Sequence, residues 1–316
     1  MPDPLVSVVV STYNRPARLS RLLGSLRGQS LAPEAFEVIV VDNGSDPATA
    51  ELLAAEVARP GLELRLVRHE QTLGPAGGRN SGWRVARAPL VAFTDDDCAP
   101  DPEWLAGGLR AHAEHPDAVI QGITRPDPRE SANEGPLAHT VAVDTLGPQY
   151  EACNVFYPRA LLERLGGFDE RYGLRPAGED TDLAWRAIEH GAPTALAADA
   201  VVLHAVEPLG PLGMLRFVAR WGDGVRVFSD HPGARAMLHR RVFWNVWHYL
   251  LWRSLLALAA PRILRRLIVA RHLLELRRRA RREGAGVWLI PLLVLIDAVE
   301  CWSIARGAVR YRTFVL

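Results

Sequence analysis

Leu90-Val91-Ala92-Phe93-Thr94-Asp95-Asp96-Asp97-Cys98-Ala99-Pro100 is an apolar run that stops in three consecutive carboxylates. Four apolar residues before a polar stop read as a buried strand. Three adjacent aspartates repel one another, so the triplet costs stability unless a cation neutralises it. Hard divalent cations such as Mg²⁺ or Mn²⁺ take oxygen ligands, and open α/β sheets hold ligands at the C-terminal ends of their strands. The plainer alternative is a solvated acidic turn, or the cap of a helix that starts at Pro102-Glu103-Trp104.

The segments before this stretch repeat its pattern. Leu5–Val10 is a β-branched run that ends in Ser11-Thr12-Tyr13-Asn14-Arg15-Pro16. Pro16 suits a first helical turn, and Leu19, Leu22, Leu23 and Leu26 follow at helical spacing. Phe36–Val41 is a second strand, stopped by Asp42-Asn43-Gly44-Ser45. A helix around 49–57 and a strand around 62–68 come next. The glycine-rich Gly74–Gly82 then enters another helix, with backbone free to approach a phosphate. Strand, polar loop and helix in repetition predict a doubly wound, mainly parallel, Rossmann-like sheet covered on both faces. Thr12, Asp42 and Asp95 to Asp97 then gather on one rim, and Asp42-Asn43 can accept hydrogen bonds from a base or ribose. The glycine spacing matches neither a P-loop nor a dinucleotide fingerprint.

Val6–Pro16, Val40–Asp46, Gly74–Gly82 and Phe93–Pro102 resemble, in order, the motifs of the family-2 glycosyltransferases with the GT-A fold. The later segments Ala152–Arg159, Gly166–Glu170 and Gly178–Arg186 resemble that family's acceptor-side motifs, again in order. The resemblance covers about residues 5–205. It implies inverting transfer of a sugar from a nucleotide-diphosphate donor to an acceptor hydroxyl, non-processive and assisted by a divalent metal, Mn²⁺ or Mg²⁺. By similarity Asp42 binds the base, and Thr12, Tyr13 and Arg15 line the nucleotide pocket. Arg79 faces the diphosphate or nearby carboxylates. Asp95 and Asp97 form a D-X-D element around Asp96; both are expected metal ligands, Asp97 the more direct, and Asp95, nearer the ribose, and Asp96 are expected to bind the donor. Some relatives add a metal-binding histidine after the last strand, which here is His204. A neutral imidazole there suits Mn²⁺ better than Mg²⁺.

An inverting displacement needs a base opposite the leaving group. Asp180 is the residue chosen, with Asp182 as the fallback. Glu179, Asp182 and Trp185 complete the acceptor side. Read without the other motifs, Glu179, Asp180 and Asp182 are simply acids at a helix N-terminus. Trp83, Trp104 and Trp185 are each able to stack on a sugar, with core packing the expectation for most of them, and Cys98 and Cys153 are expected as small buried residues.

Charge is unevenly spread. All 37 basic residues are Arg; residues 1–204 carry 18 against 29 acids, and residues 205–316 carry 19 against 7. Three well-separated cysteines point to a reducing compartment, and Pro2-Asp3-Pro4 leading into a strand predicts no signal peptide. The expected division is a catalytic domain over 1–208 (nucleotide half 1–100, acceptor half 101–208) and a helical, Arg- and Trp-rich region over 209–316. Within the latter, Arg220-Trp221 resembles part of the Gln-X-X-Arg-Trp element of polymerising relatives, but Phe217 replaces the Gln. The apolar stretches 242–260 and 286–303 are interrupted by Asn245, His248 and Arg253, and by Pro291, Asp297 and Glu300. They read as poor spanning helices and better as amphipathic ones on an anionic leaflet, with Trp244, Trp247, Trp252, Trp288 and Trp302 at headgroup depth. The expectation is a cytoplasmic enzyme, peripheral on the inner face of the plasma membrane. Its acceptor would be a glycan or a lipid-linked acceptor of the cell envelope. A helical homodimer interface is the alternative use of the same region. No nucleic-acid motif accompanies the arginines. The rival functions are nucleotidyl transfer and a non-catalytic sugar-nucleotide-binding scaffold.

Overall fold

The computed structural model describes residues 3–174, 177–282 and 284–316. By its internal contacts the chain divides into two compact units, residues 1–130 with 140–205, and residues 131–139 with 206–316.

The first unit is built on an eight-stranded sheet. In chain order its elements are β1 (Val6–Thr12), α1 (Pro16–Arg27), β2 (Phe36–Asp42), α2 (Pro47–Ala58), β3 (Leu64–Arg68), α3 (Gly74–Arg84), β4 (Leu90–Phe93), β5 (Cys98–Pro100), α4 (Trp104–Glu114) and β6 (Val119–Pro126). The two-residue strand β7 (Ala138–His139) belongs to the second unit, and β8 (Val155–Pro158), α5 (Arg159–Leu165), α6 (Glu179–Glu189) and β9 (Thr194–His204) complete the first. The strand order is β3-β2-β1-β4-β8-β6-β9-β5. Strands β3, β2, β1 and β4 are parallel neighbours, and β6 and β9 are parallel to each other. Only β8 and β5 run antiparallel to their partners. The mainly parallel, doubly wound α/β sheet expected from the sequence is the one observed.

Alternation along β1 sends its side chains to opposite faces. Val8 and Val10 join Leu19, Leu22, Leu23 and Leu26 of α1 and Trp104 of α4 in one core layer. Val9 joins Ile39, Val41, Phe93, Trp83 of α3 and Leu183 of α6 in the other. Trp83 and Trp104 are therefore core residues.

Gly74–Arg84 is a helix, and two of its glycines, Gly78 and Gly82, let it pack closely against the sheet. A Cβ on Gly78 would lie 2.1 Å from Ser11 Oγ, and one on Gly82 would lie 2.4 Å from Val9 Cγ1. Absence of a side chain suits a phosphate loop and a close helix–sheet contact equally, so composition alone does not separate them. Gly82→Ala is expected to destabilise the protein by about 1–3 kcal/mol through overpacking, read as a lowered thermal midpoint.

The second unit pairs β7 with β10 (Glu207–Pro208) and continues into α7 (Gly210–Val218), α8 (Trp221–Asp230), α9 (Val246–Leu256), α10 (Arg262–Arg282) and α11 (Ile290–Arg310). Arg220 lies between α7 and α8 with its guanidinium 4.1 Å from the Phe217 ring centroid and 4.8 Å from that of Trp221. Phe217 thus packs where a Gln stands in the polymerising pattern. Among the described residues one helix, Val287–Arg310, is long and apolar enough to cross a membrane by length and composition, with a mean hydropathy of 1.9 and 44% of its most apolar stretch buried in the fold. Pro291 sits in its first turn, where a missing N–H is harmless, and Asp297 and Glu300 turn inward.

Candidate active site

The acidic triplet is divided among three partners. Asp95 accepts from Arg79 Nη2 at 2.7 Å. Asp96 accepts from Thr12 Oγ1 at 2.7 Å and, at 3.4 Å, from Arg15 Nη1. Asp97 Oδ2 accepts from Arg15 Nη1 at 2.6 Å. Two arginines therefore offset much of the mutual repulsion. Burial and its two acidic neighbours still push the Asp96 carboxyl up to about 7, against the pull of Arg15. Burial is the strongest single influence on Asp95 and works to raise it, but the charge and hydrogen bond of Arg79 together with the other nearby cations hold that carboxyl below its usual range.

The last strand brings in His204. β5 runs antiparallel to β9 with Cys98 opposite His204, which sets His204 Nε2 3.7 Å from Asp97 Oδ1. His204 Nδ1 lies 2.8 Å from the Ala205 carbonyl, which only accepts, so Nδ1 carries a proton and Nε2 is the nitrogen that faces Asp97. Asp97 Oδ1 is buried with no hydrogen-bond partner. A buried acceptor facing a ring nitrogen at that separation is an arrangement that a small divalent cation fits. Cys98 Sγ lies within 4.8 Å of both groups. Burial pushes its thiol well up, and it approaches the Cys153 carbonyl at 3.9 Å, so it stands by as a neutral neighbour. Asp95, expected beside Asp97, lies with Arg79 and outside this cluster.

At the ends of β1 and β2 the loops are tied together. Asn14, in the left-handed region at φ 56°, accepts from Asp46 N at 2.7 Å and donates its own N–H to Ser45 Oγ at 3.0 Å. Tyr13 beside it is exposed, and Arg15 is partly so. Asp42 is fully buried; Oδ1 accepts from Ser45 N at 2.9 Å, while Oδ2 makes no hydrogen bond and has Arg68 Nε 3.5 Å away. Asn43 is fully committed elsewhere. Its amide donates to Gly74 O and its oxygen accepts from Leu73 N and lies 3.0 Å from His69 Nδ1, so it clamps β2 to the start of α3.

Arg79 joins the triplet to α6. Its Nη1 donates to Glu179 Oε1 at 2.9 Å while Nη2 holds Asp95. Glu179 opens α6 after Gly178, whose φ of 100° only glycine adopts without strain. Asp180 Oδ1 accepts from Thr181 N at 2.8 Å, and Oδ2 accepts from Ala152 N at 3.3 Å. Burial, then the Glu179 charge, push its carboxyl up to about 7, with Arg79 opposing. Asp182 points elsewhere. It is buried against Arg186 Nε at 2.8 Å, and Arg186 also donates to the Leu165 and Gly167 carbonyls. Trp185 donates Nε1 to Pro148 O at 3.1 Å.

Glu151 was not singled out from the sequence. Burial raises its carboxyl, its Oε2 is buried without a hydrogen-bond partner, and its charge acts on Asp180. Its one sequence signal is its place immediately before Ala152-Cys153-Asn154. Asn154, fully buried, bonds Trp104 Nε1 and the Ile123 and Ala200 carbonyls, which anchors that turn to the sheet.

The sheet order and the carboxylate rim define a GT-A fold. Residues 7–164 match the family model described as glycosyl transferase family 2, and the chain belongs to that family. It is 36% identical, over 229 aligned residues, to validoxylamine A glucosyltransferase of Streptomyces hygroscopicus subsp. limoneus, covering 60% of this chain and 49% of the relative. A second validoxylamine A glucosyltransferase, from S. hygroscopicus subsp. jinggangensis, is 35% identical with 53% of its length covered. The chain thus spans about half the length of these curated relatives. Among solved structures it is similar to mannosyltransferase PcManGT of Pyrobaculum calidifontis, in complex with GDP-Man and Mn²⁺ (TM-score 0.62, 22% identity, covering 99% of this chain and 88% of that one). It is also similar to S. aureus TarS 1-349 in complex with UDP-GlcNAc (TM-score 0.55, 19% identity, covering 98% and 92%).

Proposed function

We propose that this protein transfers a sugar from a nucleotide-diphosphate donor to an acceptor hydroxyl with inversion, using Asp180 as the general base. The observation that carries the reading is the Arg79 bridge, which connects Asp95 on the triplet side to Glu179, the residue before Asp180. One guanidinium thus couples a donor-side carboxylate to the element that bears the base.

Asp42 Oδ2, buried with no hydrogen bond, is the acceptor for a base N–H, and Thr12, Tyr13 and Arg15 border the same loops. The relatives solved with GDP-Man and UDP-GlcNAc support this donor class. Asp97 and His204 are the residues that would hold a divalent cation, Mn²⁺ or Mg²⁺. Bound there, it would neutralise charge on the departing diphosphate. Asp180 takes the acceptor proton as the hydroxyl oxygen attacks the anomeric carbon from the face opposite the diphosphate. A base whose pKa lies near the working pH is both largely ionised and still basic enough to act. Glu151 borders the base and is placed to receive a polar acceptor group. Asp182, engaged by Arg186, and Trp185, engaged by Pro148, contribute to the acceptor side by fixing its loops. The acceptor proposed is a glycan or a lipid-linked glycan precursor of the cell envelope, with the site on the cytoplasmic side. Nucleotidyl transfer would leave the Asp180 carboxylate without a role.

Calorimetric titration of UDP, dTDP and GDP, with Mn²⁺ and with chelator, tests this reading. One nucleotide should bind, and chelation should weaken it at least about tenfold, the loss of one strong charge contact. Absence of binding in both conditions would withdraw the donor site. The anomeric configuration of the product, read by NMR, tests inversion.

A further inference from the structure

Helix α11 is amphipathic the wrong way round for a helix facing water. Its inward side carries Asp297, Glu300 and Ser303 among Leu293, Ile296 and Ile304. Asp297 accepts from Arg279 of α10 at 2.9 Å, and Glu300 lies 3.0 Å from His248 Nε2 of α9. Its outward side presents Leu295, Trp302 and Val309 at seven-residue spacing, one stripe of the helix, with the exposed Arg306 one turn after Trp302 on the same stripe. Trp302 and Val309 are 68% and 80% exposed. Scattered apolar residues on a surface are ordinary, but an apolar outer stripe over a paired, charged inner face is the arrangement of a helix that meets hydrocarbon.

Helix α10 adds the charge. It carries nine Arg and one Glu, and that Glu275 is paired with Arg278. Ile263, Leu267, Ala270 and Leu274 fall at i, i+4, i+7 and i+11 along its exposed face. Arg266 and Arg277 flank this line on one side and Arg271 on the other, all exposed. The turn that leads into the helix exposes Leu256 and Leu258 as well. An apolar line flanked on both sides by arginine matches the boundary between acyl chains and anionic headgroups, with the stems buried and the guanidinium groups on phosphates. A second copy of the chain is a poor partner, because stacking α10 on itself would set these arginines against one another. Of the five tryptophans expected at headgroup depth, Trp288 and Trp302 are exposed. Trp244 stacks with Trp221, Trp247 lies under Arg279, and Trp252 is half-buried.

We infer that the outward faces of α10 and α11 form a docking surface for an anionic lipid bilayer, lying in the interface without spanning it. The second unit alone carries this inference, and it stands independently of sugar transfer.

The test is flotation of the full-length protein with phosphatidylcholine vesicles, with and without phosphatidylglycerol. Binding should require the anionic lipid, weaken with salt and blue-shift tryptophan fluorescence. The combined variant Arg266→Gln, Arg271→Gln, Arg277→Gln, Arg281→Gln should lower partitioning by about a hundredfold or more, since each arginine near such a surface is worth roughly fivefold. Trp302→Ser should lower it by about tenfold by removing buried apolar area. Both variants alter exposed positions, so their thermal midpoints should match the parent. Equal binding to neutral vesicles would overturn the inference. So would absence of vesicle binding together with a dimer in sedimentation velocity, which would assign these faces to self-association.

Discussion

Asp180→Asn is expected to abolish most sugar transfer, lowering kcat by about a thousandfold while nucleotide binding stays within about twofold of the parent. The amide oxygen can keep the bond accepted from Thr181 N, its NH2 gives up only the longer one from Ala152 N at 3.3 Å, and the side chain cannot take a proton at neutral pH. The same group sets the pH dependence. With its carboxyl pushed up to about 7 by burial and Glu179, the base is protonated in acid, so kcat/KM should fall tenfold per pH unit below about 7. The stability consequence has the opposite sense. A carboxyl whose folded pKa lies above its unfolded one binds more protons when folded, so it costs stability progressively as pH rises from about 4 to about 7. Asp180→Asn should therefore melt higher than the parent at pH 8, and the gap should close by pH 4. Transfer within a few-fold of the parent would remove Asp180 from the mechanism. Loss of nucleotide binding together with transfer would mean that the substitution disturbs the donor side and not the base.

The sheet was readable because its causes are local. β1, β2 and β4 are apolar runs that end in polar residues, and α1 repeats leucine at 3.6-residue spacing, so strands, rim and first helix follow from the chain itself. Strand order beyond β4 was not readable. The pairing of β5 with β9, which sets Cys98 opposite His204 and brings His204 to Asp97, joins segments about a hundred residues apart with no turn chemistry between them. The carboxylates were visible as chemistry, but not their division of labour. Nothing local separates Asp95, held by Arg79, from Asp97, whose second oxygen makes no hydrogen bond. Asn43 looked like a ligand because Asp-Asn-Gly-Ser is polar; its side chain is spent on Leu73 and Gly74 because a buried amide must satisfy both ends. Asp182 did carry a usable signal. Arg186 stands four residues on in the same helix, the spacing at which such pairs meet.

Arg79 is where the largest stability effect is expected. Its guanidinium is buried between Asp95 and Glu179, and their charges raise its pKa despite burial. Arg79→Met removes the cation that pairs with both, leaving carboxylates in a poorly solvated site, and should cost about 3–5 kcal/mol in chemical denaturation at neutral pH. The loss should shrink on acidification, because Asp95 is held below its usual range by Arg79 and that stabilisation exists only while the carboxylate is charged. The active-site consequence moves the other way along the pH axis. Arg79 also restrains the Asp180 pKa, so its removal should shift the acid limb of kcat/KM above 7. Arg79→Lys separates charge from geometry. A lysine keeps the cation near Asp180, and with it much of the parental acid limb, but one ammonium lacks the planar fork that reaches Asp95 and Glu179 together. A lysine variant with a near-parental acid limb and a reduced kcat would show that the bridge positions the base as well as charging it. Parental kcat in that variant would reduce Arg79 to its charge alone, and parental stability in Arg79→Met would mean that the two carboxylates find solvent instead of needing a partner.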